Sequence, residues 1–462
     1  MERHPATVAQ DPREGPIVRE GPRRFTGSGP GCGPASGPDF ASRCSGALHS
    51  GHPELPLSTP PRRAPAPGEE GVPKPLYAVW ELTLRCDQPC QHCGSRAGAA
   101  RTSELSTEEV REVGRALARL GTQEVTLIGG EAYLRADLLE IVTFLAGEGM
   151  LVTMQTGGRA LTPRRAVALE AAGLHAIGLS IDGPADIHDV LRGNTGSHAA
   201  ALRALDACRA AGLPTSVNTQ VNRLNHTRLA ETAATMRDHH VGSWRPQLTV
   251  PMGNAADHPD WILEPWQMLD VMDTLAAIQL DAVAHPRAWE AGPDLRRRFD
   301  VQAGNNIGYF GPHETILRSR VGRDAVYWQG CVAGVYTISI ESDGTVKACP
   351  SLPTAPYTGG NVRTLALDEI WAHAEAIRFV RDRTLDELWG YCKGCYYAET
   401  CRGGCSFTAH TTLGRRGNNP FCYHRAADLR RKGLRERLVQ TVAAAGVPYD
   451  FGRFEIVVEP WV

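Results

Sequence analysis

The chain has 462 residues, with 49 Lys and Arg against 51 Asp and Glu. That is material for two or three domains, and the even balance argues against a nucleic-acid partner, which leaves a basic footprint. No apolar run is long enough to span a bilayer and no signal-peptide core opens the chain, so a cytoplasmic location without a membrane partner is expected. In that reducing compartment ten of its 13 cysteines, which fall in two tight groups, read as metal ligands rather than disulfides.

Residues 1–75 contain 15 Pro and 11 Gly, the composition of a disordered tail, which makes Cys32 and Cys44 incidental. From about Tyr77, short β-rich runs alternate with amphipathic helices. Strands are expected at 78–84, 124–128, 151–155, 176–181, 215–220 and 244–250. Helices are expected at 107–120, 136–148, 163–172, 199–211 and 228–239. Six strand–helix units over residues 76–255 predict an α/β fold with a parallel sheet, open or curled into a partial barrel. The active site of such a sheet forms at the C-terminal strand ends.

The first strand runs into Cys86-Asp87-Gln88-Pro89-Cys90-Gln91-His92-Cys93, a C-x3-C-x2-C spacing. Three thiolates on one loop can hold three corners of an iron–sulfur cubane and leave the fourth iron open, whereas an electron-transfer centre is closed by four cysteines. With His92 as a fourth ligand the loop would also suit zinc. The second strand ends in Gly129-Gly130-Glu131, where two glycines allow close backbone approach and a carboxylate can accept from an ammonium. The fourth ends in Ser180-Ile181-Asp182-Gly183, followed ten residues later by Arg192.

Together these segments resemble the radical S-adenosylmethionine (SAM) superfamily, whose three-cysteine cluster chelates SAM and cleaves it reductively to a 5′-deoxyadenosyl radical. The resemblance implies a partial (β/α)6 barrel like that of triosephosphate isomerase, with Cys86, Cys90 and Cys93 holding the catalytic cluster. It further implies that His92, Gly129, Gly130, Glu131, Ser180, Asp182 and Arg192 form the SAM site, Glu131 at the ammonium and Arg192 at the carboxylate. Where relatives often have Thr-Asn-Gly, this chain has Thr156-Gly157-Gly158. Cys208, in the apolar pattern of its helix, reads as a buried hydrophobe.

Residues 256–325 read as a bridging region, with a helix near 265–280 and a Gly-rich loop, 303–311, whose stretch 305–310 is expected either to line a substrate channel or to form a buried structural turn. The run 296–298 reads as a solvated face. Beyond it come Cys331, Gly344 and Cys349, then Cys392-x2-Cys395-x5-Cys401-x3-Cys405, and finally Cys422. This array resembles the seven-cysteine SPASM signature in every spacing. The resemblance implies a small cysteine-rich domain over 326–430 with two auxiliary [4Fe–4S] clusters, three clusters in all. Cys331, Cys349 and Cys405 would hold the first, and Cys392, Cys395, Cys401 and Cys422 the second. No cysteine stands near Cys331 to complete the first, so its fourth iron would be open or would take a distant ligand such as His313. A charged helix, 426–445, and a short strand, 454–459, are expected to close the chain.

SPASM enzymes mostly modify peptides or proteins. Pro350 and Ser351 follow Cys349, where sulfatase maturases carry a catalytic Asp, which disfavours that subclass. The expected function is therefore maturation of a ribosomally made precursor peptide by hydrogen abstraction, giving a cross-link, an epimerised residue or an oxidised one. Radical chemistry on a small molecule and a non-enzymatic iron–sulfur or zinc protein are the alternatives. Expected partners are the precursor peptide, a separate leader-binding protein, and a flavodoxin- or ferredoxin-type reductant.

Overall fold

The computed structural model describes residues 71–291, 298–320 and 325–461. The tail expected at 1–75 lies almost wholly outside them, as do Cys32, Cys44 and most of 296–298. Seven parallel strands follow one another across the sheet: β1 (Tyr77–Glu81), β2 (Glu124–Ile128), β3 (Leu151–Thr156), β4 (Ala176–Ser180), β5 (Thr215–Val221), β6 (Ser243–Leu248) and β7 (Asp300–Val301). The last is a two-residue strand that the sequence reading missed.

Between them run α1 (Thr107–Arg119), α2 (Leu138–Gly147), α3 (Pro163–Ala171), α4 (Ala185–Arg192), α5 (Ser197–Ala210), α6 (Leu229–Asp238) and α7 (Met268–Ala284). Their ends follow local chemistry. Ser106 and Glu109 form a capping box on α1, and Thr162 caps α3 with Pro163 behind it. Gly193, at φ 61°, closes α4 in the left-handed region. One sheet face buries Trp80, Leu127, Met154, Leu179, Val217 and Trp244 under these helices. Cys208 is fully buried on α5, as its pattern predicts.

The cysteine-rich region is less separate than its composition implies. Strand β8 (Thr337–Ile340) pairs in parallel with β1, and β9 (Thr345–Lys347) and β10 (Gly360–Asn361) extend the same sheet antiparallel, making ten strands with β10 and β7 at the edges. The loop after β9, which bears Cys349, is therefore carried by the sheet that carries Cys86.

The C-terminal helix expected over 426–445 is a correction. Helix α11 (Tyr423–Arg431) stops before Gly433, at φ 70°, after α8 (Glu314–Arg318), α9 (Leu367–His373) and α10 (Ser406–Leu413) have preceded it. The chain then forms β11 (Leu434–Val442), antiparallel to β12 (Arg453–Pro460). The alternating charges that mimic a solvated helix here pair across strands: Arg435 and Arg437 both reach Glu459.

Candidate functional site

The C-terminal ends of β1 to β5 converge, and they bring together most of the residues singled out from the sequence. Cys86, Cys90 and Cys93 lie on the loop after β1, which is clamped from far along the chain. The Asn254 amide donates to Cys90 O at 2.7 Å and its backbone N–H to Cys93 O at 2.9 Å. Arg96 reaches Asp257 and Asp450. Burial pushes the Cys86 thiol up to about 12 and the Cys90 thiol up to about 11, so metal ligation here releases protons.

Beside Cys86 stand two carboxylates. Ligand atoms of Cys86, Asp87 and Glu131 lie within 4.8 Å of one another. Glu131 is buried, accepts from Thr156 Oγ1, and accepts from the Gly157 N–H at 2.7 Å. Burial raises its carboxyl to about 7, outweighing those two donors. Asp87, passed over in the sequence although it lies inside the cysteine motif, accepts from Tyr133 OH at 2.9 Å.

On the other side Asp182, fully buried, accepts from Arg192 Nε at 2.8 Å and Nη2 at 2.6 Å, and from the Gln220 N–H at 2.9 Å. Burial opposes its charge, but Arg192 and His92 outweigh burial and hold the carboxyl far below the usual range. Arg192 Nη1 points at Cys90 Sγ, 3.7 Å away. His92 donates from Nδ1 to Leu191 O at 2.9 Å and turns Nε2 to Asp182 at 3.4 Å. Both ring nitrogens are engaged away from the thiols, so His92 orients Asp182 and is no fourth metal ligand.

The two glycines before Glu131 also serve the packing of the protein itself. A Cβ at Gly129 would meet Thr83 O at 2.4 Å, and one at Gly130 would meet Arg85 O at 2.3 Å. They let the end of β2 press against the end of β1 and so bring Glu131 beside Cys86. Ser180 sits half-buried at the end of β4.

The other seven thiols fall into two groups. Cys392, Cys395, Cys401 and Cys422 line one cavity with Tyr309 and Phe310. Cys331, Cys349 and Cys405 are electrostatic neighbours of one another. Within the loop 303–311, Tyr309 and Phe310 line the four-thiol cavity: Phe310 stacks on Tyr397 at 4.1 Å, and Tyr309 OH accepts from the Cys405 N–H. His313 pairs with Asp273 at 3.4 Å.

Spacing tests which metal centre these thiols suit. Two sulfurs on one zinc are at most about 4.6 Å apart, twice the Zn–S bond. Among the described residues, only Cys86, Asp87 and Glu131 form a three-residue group that tight. Among the described residues no three thiols come that close, and all-thiol donor sets are those that iron–sulfur clusters take.

Residues 80–235 match the radical SAM superfamily, and residues 331–396 match SPASM, an iron–sulfur cluster-binding domain. The chain carries a radical SAM domain followed by a SPASM domain. The two domains imply SAM and iron–sulfur clusters as its cofactors. The radical SAM–SPASM chain is 28% identical over 365 residues to the AdoMet-dependent heme synthase of Methanosarcina barkeri, covering 76% of this chain and 97% of that one. It is 29% identical over 358 residues to the mycofactocin maturase MftC of Mycobacterium ulcerans, covering 77% and 89%. Streptococcus suis SuiB bound to precursor peptide SuiA shares the fold, with a TM-score of 0.55 at 14% identity over 77% of this chain and 76% of that one. Among the described residues no helix is long and apolar enough to cross a membrane.

Proposed function

We propose that this radical SAM enzyme modifies a ribosomally made precursor peptide by abstracting hydrogen from one of its carbons. Cys86, Cys90 and Cys93 would hold the catalytic cluster. Cys331, Cys349 and Cys405 would hold a first auxiliary cluster, and Cys392, Cys395, Cys401 and Cys422 a second. Bound at the first loop, cluster and SAM supply a 5′-deoxyadenosyl radical. The protein's part is to seat SAM. Glu131 and Asp87 accept from its ammonium, Arg192 offers its remaining N–H groups to the carboxylate, and Ser180 meets the ribose. Asp182 and His92 hold Arg192 in place.

The observation that carries the SAM reading is the meeting of three thiols, an acidic pair and an arginine at one end of the sheet. Similarity to MftC along 89% of its length supports a peptide substrate. Similarity to AdoMet-dependent heme synthase favours a second reading, in which the substrate is a haem precursor. Reduced, reconstituted enzyme should be given SAM with a peptide encoded beside its gene, and separately with a haem precursor. Faster 5′-deoxyadenosine formation together with a mass change in the peptide supports the first reading. Turnover of the haem precursor alone overturns it.

A further inference from the structure

Each of the three thiol groups has a deeply buried cation beside it, and each cation has a carboxylate behind it. At Cys90 it is Arg192, held by Asp182. At the four-thiol cavity it is Arg425, which lines that cavity and grips Glu436 through two 2.7 Å contacts. At Cys349 it is Lys347, with Nζ 2.7 Å from Glu341. The last is the least expected, because a lysine at 0% exposure is rare and needs a paired charge such as Glu341 to be tolerated.

Lys347 is built in from several sides. Its ammonium donates to Leu352 O at 2.7 Å and to Pro350 O at 3.3 Å, both in the loop that follows Cys349. It sits over the Tyr449 ring at 4.1 Å. Glu341 is itself held by Arg101 at 3.0 Å and Thr354 Oγ1 at 2.6 Å, while Tyr449 OH donates to Glu81 at the end of β1. The carboxylate is thus tethered on the barrel side, and the cation bonds the loop that presents Cys349. A buried cation favours the more negative, reduced form of a cluster, and low polarity around it strengthens the effect.

Given the auxiliary clusters of the function proposed above, we propose that Lys347 raises the reduction potential of the cluster held by Cys331, Cys349 and Cys405, so that this cluster receives the electron the reaction releases. The step balances simply. Once hydrogen has left the substrate carbon, the substrate radical loses one electron to that cluster and one proton to solvent, and the cluster gains one negative charge. Lys347 acts as a positioning charge and touches no reacting atom.

The experiment is potentiometric titration of full-length reconstituted enzyme followed by electron paramagnetic resonance, with iron and sulfide analysis of every sample. In Lys347→Met the ratio of reduced to oxidised cluster at a fixed potential should fall about tenfold for one auxiliary signal and stay constant for the other. Glu341→Gln should move the same signal the opposite way, and Lys347→Arg should restore it. Full iron content with every signal unmoved in Lys347→Met overturns the proposal. If Lys347→Met loses iron, Glu341→Gln decides: an upward shift supports the proposal and an unmoved signal overturns it. Wild-type enzyme with iron for the catalytic cluster alone would instead overturn the auxiliary-cluster reading.

Discussion

Two thiol sites in this chain can be set side by side. Around Cys86, Cys90 and Cys93, three sulfurs share their space with Glu131, Asp87 and Arg192. Around Cys392, Cys395, Cys401 and Cys422, four sulfurs share a cavity with Tyr309, Phe310, Tyr391 and Tyr397. The first sets its three sulfurs beside charges fit for an amino acid; the second walls its four with rings. On the function proposed above, the contrast teaches that a thiol site's neighbours, as well as its thiol count, distinguish a place for chemistry from a place for electrons.

The comparison breaks most completely at the first site. Changing Cys86, Cys90 and Cys93 together to Ala should abolish 5′-deoxyadenosine formation and remove about four of about twelve irons, as read by chromatography and iron analysis. Surviving SAM cleavage would end the assignment. At the second site the sharpest cut is Glu436→Gln, which leaves the Arg425 guanidinium buried without its charged partner. We expect a loss of about 3–5 kcal/mol, seen as a lower Tm with SAM affinity of the surviving fold unchanged.

A smaller effect separates the two kinds of neighbour. Glu131→Ala should weaken SAM binding by about one to two orders of magnitude, the worth of a charge-assisted contact, while iron content holds. Unaltered affinity by calorimetry would show that the acidic pair is not the ammonium's seat. Least of all, Tyr397→Ala removes the 4.1 Å stack on Phe310, worth about 0.5–1.5 kcal/mol. Uncoupled SAM cleavage should continue at the wild-type rate while the second auxiliary cluster bleaches faster in air. Equal bleaching rates would deny the rings a shielding role.

Much of the site was legible because its residues sit in short runs whose spacing is itself the chemistry. Cys86 to Cys93, Gly129 to Glu131 and Ser180 to Asp182 are such runs. The roles of Asn254 and Asp450 were not legible, since they reach the cluster loop and its neighbour Arg96 through contacts that span more than a hundred residues in sequence. Asp87 and Tyr133 could have been flagged as a carboxylate inside the motif and a tyrosine just past Glu131. Helix α4 carried its own punctuation, Pro184 before and Gly193 after, and was overlooked. The C-terminal hairpin failed for a different reason: a charged run fits an exposed helix and a paired strand equally well until its partner strand is known.

By itself the amino-acid sequence determined the parallel strand–helix alternation and the ten clustered thiols, because hydrophobic period and ligand spacing are local properties of the chain. Tertiary structure decided what those thiols face. It set His92 behind Asp182, gave Gly129 and Gly130 a packing role, joined β8 to β1, and buried Lys347 beside the Cys349 loop. These outcomes depend on which surfaces exclude water together. A buried charge acquires its meaning from partners that folding brings from elsewhere in the chain.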